Sequence, residues 1–259
     1  MINPSQIKEH ESTSKKDYLI SIQDEDTSIY MHNFYEYLFN GNVGAPVHEK
    51  LQNGAKVLAF RCDSDIWITK VAAEYPNSKF YAVDSTIPDS SDKFNNITFI
   101  EYNVFKKISF PDNEFDYVFS RDKFLLIEKT IFQEILSEIF RVLKPGGISW
   151  LKAQNISYDI LINFENYLYE TGKTEYITYR IVETQVRKGY AFGDFLIEII
   201  LMYYRSVSDY LASFMNISFG EYDDFMNNVE SELNAKDNKT TIRHKQVLAR
   251  KKCTHSEEN

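Results

Sequence analysis

The stretch that most restricts how this chain can fold is Lys56-Val-Leu-Ala-Phe-Arg-Cys-Asp-Ser-Asp-Ile-Trp67. Val57–Phe60 is a short apolar run and reads as a buried strand. A polar turn follows, and Ile66–Tyr75 then reads as a helix stopped by Pro76. Phe80-Tyr-Ala-Val-Asp84 is a second apolar run, and it ends in an acid. Strand, turn, helix, strand, acid is the layout of a nucleotide-cofactor site in a doubly wound α/β domain. Such a turn is normally rich in glycine, and this one contains none.

The chain beyond that stretch continues the alternation. Lys79–Val83 is the second strand, Ile97–Tyr102 the third and Phe115–Ser120 the fourth, the last preceded by the turn-forming Pro111-Asp-Asn-Glu114. Lys129–Leu143 is the clearest helix, with Ile131, Ile135, Ile139 and Leu143 in one stripe and Glu134, Glu138 and Arg141 outside it. Lys144-Pro-Gly-Gly147 is expected to end that helix sharply, and Ile148–Ala153 to be the fifth strand. Five strands alternating with helices require a mostly parallel sheet covered on both faces. Right-handed crossovers then gather the carboxyl ends of the strands on one edge, where ligands bind.

Residues 1–27 are polar and charged and are expected to be a flexible tail. Ile29–Phe39 is an aromatic-rich helix, and Ala45–Leu51 a short one with Gly54 just past its end. Tyr158–Tyr169 reads as a helix and Tyr176–Arg187 as β-rich. Phe192–Met215 is helical with a break near Ser206–Ser208, Glu221–Leu233 is an acidic helix, and Thr240–Arg250 alternates as a final strand. The expected organisation is one α/β domain over 28–259, with 154–239 inserted as a helical lid before the last strand.

Thirty-eight acids against 29 bases give a net charge of −9, which argues against a nucleic-acid partner. The two cysteines, Cys62 and Cys253, make neither a disulfide framework nor a zinc spacing. The histidines are scattered, and Asp63, Asp65 and Asp84 read as solvated acids, so no metal site is expected. The first residues lack an apolar leader core, and the apolar patch Phe195–Tyr204 is interrupted by Glu198. It is also shorter than the roughly 20 residues a bilayer span takes. A cytoplasmic protein with no membrane partner is the expectation.

Five segments together carry a family likeness: Gly-Ala-Lys-Val-Leu58 with Cys62 and Trp67; Glu74-Tyr-Pro-Asn-Ser-Lys-Phe-Tyr-Ala-Val-Asp84; Thr98-Phe-Ile-Glu-Tyr-Asn103; Phe110-Pro-Asp-Asn-Glu-Phe-Asp-Tyr-Val118; and Glu138-Ile-Phe-Arg-Val-Leu-Lys-Pro-Gly-Gly147. From about Asn40 to Leu151 the chain resembles the class I S-adenosylmethionine-dependent methyltransferases. The resemblance implies a seven-stranded sheet of order 3-2-1-4-5-7-6, with Thr240–Arg250 in the antiparallel last hairpin. It implies S-adenosylmethionine as cofactor and a small-molecule acceptor. By position it assigns Asp84 to the ribose hydroxyls, Asn103 and Val104 to the adenine, and Ser120 and Arg121 to the strand end facing the acceptor, where Arg121 could equally form a local ion pair with Asp122.

The family's first turn reads roughly Asp-Val-Gly-Cys-Gly-x-Gly. Aligned on Cys62, this chain has Ala59 for the acid and Arg61, Asp63 and Asp65 for the three glycines. Two readings follow. Asp63 and Asp65 cap the next helix themselves and repel the carboxylate of the cofactor, or Arg61 supplies a new cationic contact to that carboxylate. In the first, cofactor binding is weakened or lost and the chain is a non-catalytic module that binds or regulates a protein partner. In the second it remains an active enzyme. No catalytic residue is singled out, because transfer from a sulfonium needs in-line positioning more than a dedicated base.

Overall fold

The computed structural model describes residues 25–60, 66–84, 94–101, 107–121, 129–153 and 158–253. Helix α1 is Glu25–Phe39 and α2 is His48–Asn53. Strand β1 is Lys56–Phe60, followed by α3, Ile66–Glu74, and β2, Lys79–Asp84. Then come β3, Ile97–Glu101; β4, Phe115–Arg121; α4, Lys129–Val142; and β5, Leu143–Ala153. The remainder is α5, Tyr158–Glu170; β6, Thr174–Gln185; α6, Gly193–Ser206; α7, Ser208–Met215; α8, Phe219–Leu233; and β7, Thr241–Lys251.

The seven strands form one sheet of order β3-β2-β1-β4-β5-β7-β6. Neighbours from β3 to β5 run parallel, and β7 runs antiparallel to β5, with Ala153 opposite Lys245 and Ile148 opposite Arg250. This is the order that the family likeness implies. Two apolar clusters cover the two faces. Leu58, Phe60 and Val118 pack beneath Phe132, Ile135 and Ile139 of α4. Val57, Ala59 and Phe119 pack beneath Trp67 and Val71 of α3, beside Leu51 of α2.

The chain divides into a sheet unit, residues 28–182 with 243–259, and a smaller unit that includes 183–242. Within the smaller unit, α6 and α7 meet at Val207, the break expected near Ser206–Ser208. The Tyr222 hydroxyl donates to the Tyr204 carbonyl at 2.9 Å, and Arg205 pairs with Glu230 at 2.7 Å. Helix α8 begins two residues earlier than expected. Ser218 and Glu221 form a capping box, each side chain taking up the other's backbone N–H.

Two expectations in the sheet unit need correction. Lys144-Pro-Gly-Gly147 does end α4, but it already belongs to β5. Phe115 pairs with Leu143 while Tyr117 pairs with Ile148, so an advance of two residues along β4 faces one of five along β5, a bulge in β5. Gly146 takes φ +69 there, and Lys144 Nζ donates to both oxygens of Asp116 at 2.9 Å. Nor does Arg141 lie outside the packed face of α4. Its side chain is only 12% exposed. It donates to both oxygens of Glu138, to Asp112 and to the carbonyls of Ile108 and Phe110, at 2.8–2.9 Å. Glu138 in turn accepts from the Ile108 N–H at 3.1 Å. This clamp ties the segment entering β4 to α4, where the sequence shows only a short link between the third and fourth strands.

Candidate functional site

The parallel strands end at Phe60, Asp84, Glu101, Arg121 and Ala153 on one edge of the sheet. Asp84 is half-buried there and lies in register opposite Glu101 of the neighbouring strand. Side chains alternate across a strand. Phe119 stacks on Trp67 with ring centroids 3.8 Å apart, so Ser120 points to the opposite face, that of Val118 and Leu151. Ser120 is fully buried, and its Oγ meets no hydrogen-bonding partner among the described residues. A buried hydroxyl without a partner is costly in a finished core and expected in a site that a polar ligand completes.

Arg61, Asp63, Asn103 and Val104 lie outside the described residues, as does the rest of the turn 61–65. Its two ends are placed. Phe60 is fully buried at the end of β1, and α3 starts at Ile66 with Trp67 locked by two contacts. The Trp67 indole N–H donates to the Asn42 carbonyl at 2.8 Å while its ring lies on Phe119. The turn therefore connects two fixed points of the core. Of the site residues expected from the sequence, the structure brings Asp84 and Ser120 to the common carboxyl edge.

The sequence placed Ser120 and Arg121 at the end of the fourth strand but did not reveal the buried polar residues of α1 and β7 at the same edge. Among the described residues, six of the ten buried polar ones belong to α1, the end of β4 or the start of β7: His32, Ser120, Arg121, His244, Lys245 and Gln246. Strand β7 is antiparallel, so its first residues reach the same edge at which the parallel strands finish. Helix α1 packs onto that edge. The Arg121 guanidinium lies 5.1 Å from the centre of the Tyr35 ring, and the His244 ring meets Phe34 edge-on at 5.1 Å and Tyr35 at 6.3 Å. Burial pushes the His244 imidazole down to about 4, so it is neutral at physiological pH.

On the other face of β7, Lys245 Nζ meets Glu165 of α5 at 2.7 Å and lies 5.1 Å from the centre of the Tyr179 ring. The loop after α1 fits tightly over this layer. A β-carbon on Gly44 would lie 2.4 Å from Trp150 and 2.6 Å from the Gln246 amide nitrogen, so no other residue fits without displacement. The aromatic richness of α1 was visible in the sequence, as was the alternation of β7. Their meeting over Arg121 depends on a strand order that neither segment encodes.

The edge therefore offers a carboxylate at Asp84, an unmatched hydroxyl at Ser120 on the face of Val118 and Leu151, and, on the opposite face, an aromatic and cationic wall from Tyr35, Arg121 and His244. Among the described residues no group of three or more His, Cys, Asp or Glu side chains could hold a metal ion. No helix is long and apolar enough to cross a membrane, again among the described residues.

Residues 57–147 match the methyltransferase domain family. A sterol 24-C-methyltransferase of Gibberella zeae is 40% identical over 75 residues, a stretch that takes in 26% of this chain and 18% of that protein. This chain thus aligns with less than a fifth of that relative's length. Among solved structures, a protein of Galdieria sulphuraria assigned as a sarcosine dimethylglycine methyltransferase superposes with TM-score 0.50 at 16% identity, covering 88% of this chain and 85% of the other. The (4+2)-cyclase SpnF superposes with TM-score 0.50 at 14% identity, covering 79% and 78%. The last pair makes a physical point: a fold shared by proteins named for different reactions does not by itself fix the reaction.

Proposed function

We propose, from the match of residues 57–147 to the methyltransferase domain family and the class I methyltransferase strand order of the sheet, that this protein moves a methyl group from S-adenosylmethionine to a small-molecule acceptor. Its grip on that cofactor is weakened by the side chains of the first turn. The observation that carries the reading is the carboxyl edge itself, with Asp84 at the end of β2 and the unmatched Ser120 hydroxyl at the end of β4. Both fit the cofactor. Asp84 would hold the ribose hydroxyls, and Ser120 would orient a polar group beside the methyl. The bound cofactor would supply an electrophilic methyl on sulfonium. The work left to this chain is alignment and exclusion of water, which the buried wall of Tyr35 and Arg121 suits.

A weakened grip follows from the turn. Arg61, Asp63 and Asp65 stand where the family keeps glycine, and two carboxylates near a helix N-terminus compete with a third arriving on the ligand. A protein without nucleic-acid or membrane partners accords with the net charge of −9. The second reading, a non-catalytic module that binds a protein partner, rests on the same three residues.

Calorimetric titration with S-adenosylmethionine and its demethylated product separates the two. The expected result is a dissociation constant between about 10 μM and 1 mM, or roughly −7 to −4 kcal/mol. It should be lost in Asp84→Ala and tightened at least about tenfold when Arg61, Asp63 and Asp65 are all replaced by glycine. Binding that appears only after the three glycines are restored would establish the lapsed module. No binding in either protein would remove the cofactor from the account.

A further inference from the structure

The carboxyl edge leaves one conspicuous surface unexplained, in the unit that includes residues 183–242. Around the corner between α7 and α8, Phe214 is 76% exposed, Phe219 60% and Met215 43%. Tyr210, 42% exposed, stacks on Phe214 with centroids 6.4 Å apart. Single exposed apolar residues are ordinary on a protein surface, whereas four gathered at one corner mark a contact surface. The corner is also well made. Asn216 ends α7 in a left-handed conformation with its N–H bonded back to Ala212 and Ser213, and the Ser218–Glu221 capping box starts α8. The aromatics are thus displayed on a fixed turn.

Charge identifies the occupant. From Ser206 to Ala235 there is no Lys, Arg or His, while Asp209, Glu221, Asp223, Asp224, Glu230 and Glu232 are acidic. Glu230 is taken by Arg205. Asp223 lies four residues beyond Phe219, on the same face of α8. The hydroxyl and backbone of Ser218 hold the Glu221 carboxyl below its ordinary range, so it stays ionised beside the aromatics. We propose that the α7–α8 corner, with Tyr210, Phe214, Met215 and Phe219 ringed by acidic side chains, is a docking surface for a basic amphipathic helix of a partner protein. An apolar face would cover the aromatics while Lys and Arg flank it, the helix-on-patch mode of recognition. An anionic membrane would be repelled by the same acids. A second copy would bring acid against acid across a two-fold axis. The surface is independent of whether the cofactor binds.

The test uses the full chain and a fluorescent synthetic helix of about 18 residues, Lys and Leu at helical spacing. Anisotropy titration should show saturable binding that weakens at least about tenfold in Phe214→Ser/Phe219→Ser and in Asp223→Lys/Asp224→Lys. Both pairs are exposed, so far-ultraviolet circular dichroism should be unchanged. A Lys-rich peptide without the Leu face should bind no better to the parent than to Phe214→Ser/Phe219→Ser, and a Glu/Leu peptide should not bind. Equal binding of the Lys/Leu helix by parent and Phe214→Ser/Phe219→Ser would reduce the surface to bulk charge and overturn the proposal. So would co-sedimentation of the parent, but not that variant, with phosphatidylcholine vesicles. A dimer in sedimentation velocity that the same variant dissolves would assign the face to a second copy instead.

Discussion

Replacing Arg141 by Met removes the guanidinium that fastens the segment before β4 to α4, and the cost can be worked from its contacts. Two of its acceptors are the carbonyls of Ile108 and Phe110; Ile108 is itself buried. Losing the donors of two such carbonyls costs on the order of 1 kcal/mol each. Glu138, 20% exposed, loses a two-point partner and keeps, among the described residues, only the Ile108 N–H. Leaving a largely buried carboxylate half-matched adds about 1–2 kcal/mol, less than a fully buried pair because water still reaches it. The Asp112 contact is open to solvent and adds nothing to the reckoning. The whole is about 3–4 kcal/mol.

The assay is built into the protein. Its only tryptophans, Trp67 and Trp150, are both buried in the sheet unit, so their fluorescence in urea follows that unit alone. Arg141→Met should move the transition by that amount. Arg141→Lys, which keeps the charge but not the fork, should recover about half. Because the clamp is mostly buried, about 1 M salt should change the difference little. A loss under about 1 kcal/mol, or one that salt abolishes, would show that this is a solvated surface pair and refute the reasoning.

Other outcomes follow from the same structure. His244 sits at about 4 against an ordinary 6.5, so below pH 6.5 the unfolded chain takes up a proton that the folded chain refuses. Stability should therefore decline as pH falls from 6.5 towards 4, by about 2 kcal/mol at pH 5. A neutral His244→Phe variant should lose that slope in urea titrations across the range. Gly44→Ala drives a methyl into Trp150 and Gln246 and should cost about 1–3 kcal/mol, with a shifted tryptophan emission; an unchanged urea midpoint would contradict the packing. Trp67→Phe keeps much of the ring contact but abandons the bond to the Asn42 carbonyl. It should cost about 1–2 kcal/mol in thermal unfolding, and a loss within error would mean that bond is not formed.

The strands and helices were legible because they are locally coded. The apolar runs at Val57, Phe80 and Phe115 and the helix closed by Pro76 needed nothing beyond their neighbours in the chain. Asp84 and Ser120 could be placed near strand ends for the same reason, although β4 runs one residue further, to Arg121. Arg141 was misjudged because a helical wheel treats a charged residue off the apolar stripe as solvated. The partners that bury it are carbonyls of a segment some 30 residues earlier, and carbonyls have no letter in a sequence. Lys144-Pro-Gly-Gly147 reads as a stop on chain chemistry alone; that it is also a bulge depends on Phe115 and Tyr117 across the ladder.

Which segments pair their own backbone groups as helix or strand is written locally in the chain, since hydrophobic period and turn chemistry act over a few residues. What stands beside Arg121 comes from packing between elements far apart in the chain. Tyr35 of α1 lies over Arg121 and meets His244, which is at that edge because β7 enters the sheet antiparallel beside β5, laying the start of a late strand at the finish of the early ones. That adjacency is fixed by how whole elements pack to cover one another, a property of the assembled sheet that no short window of residues contains.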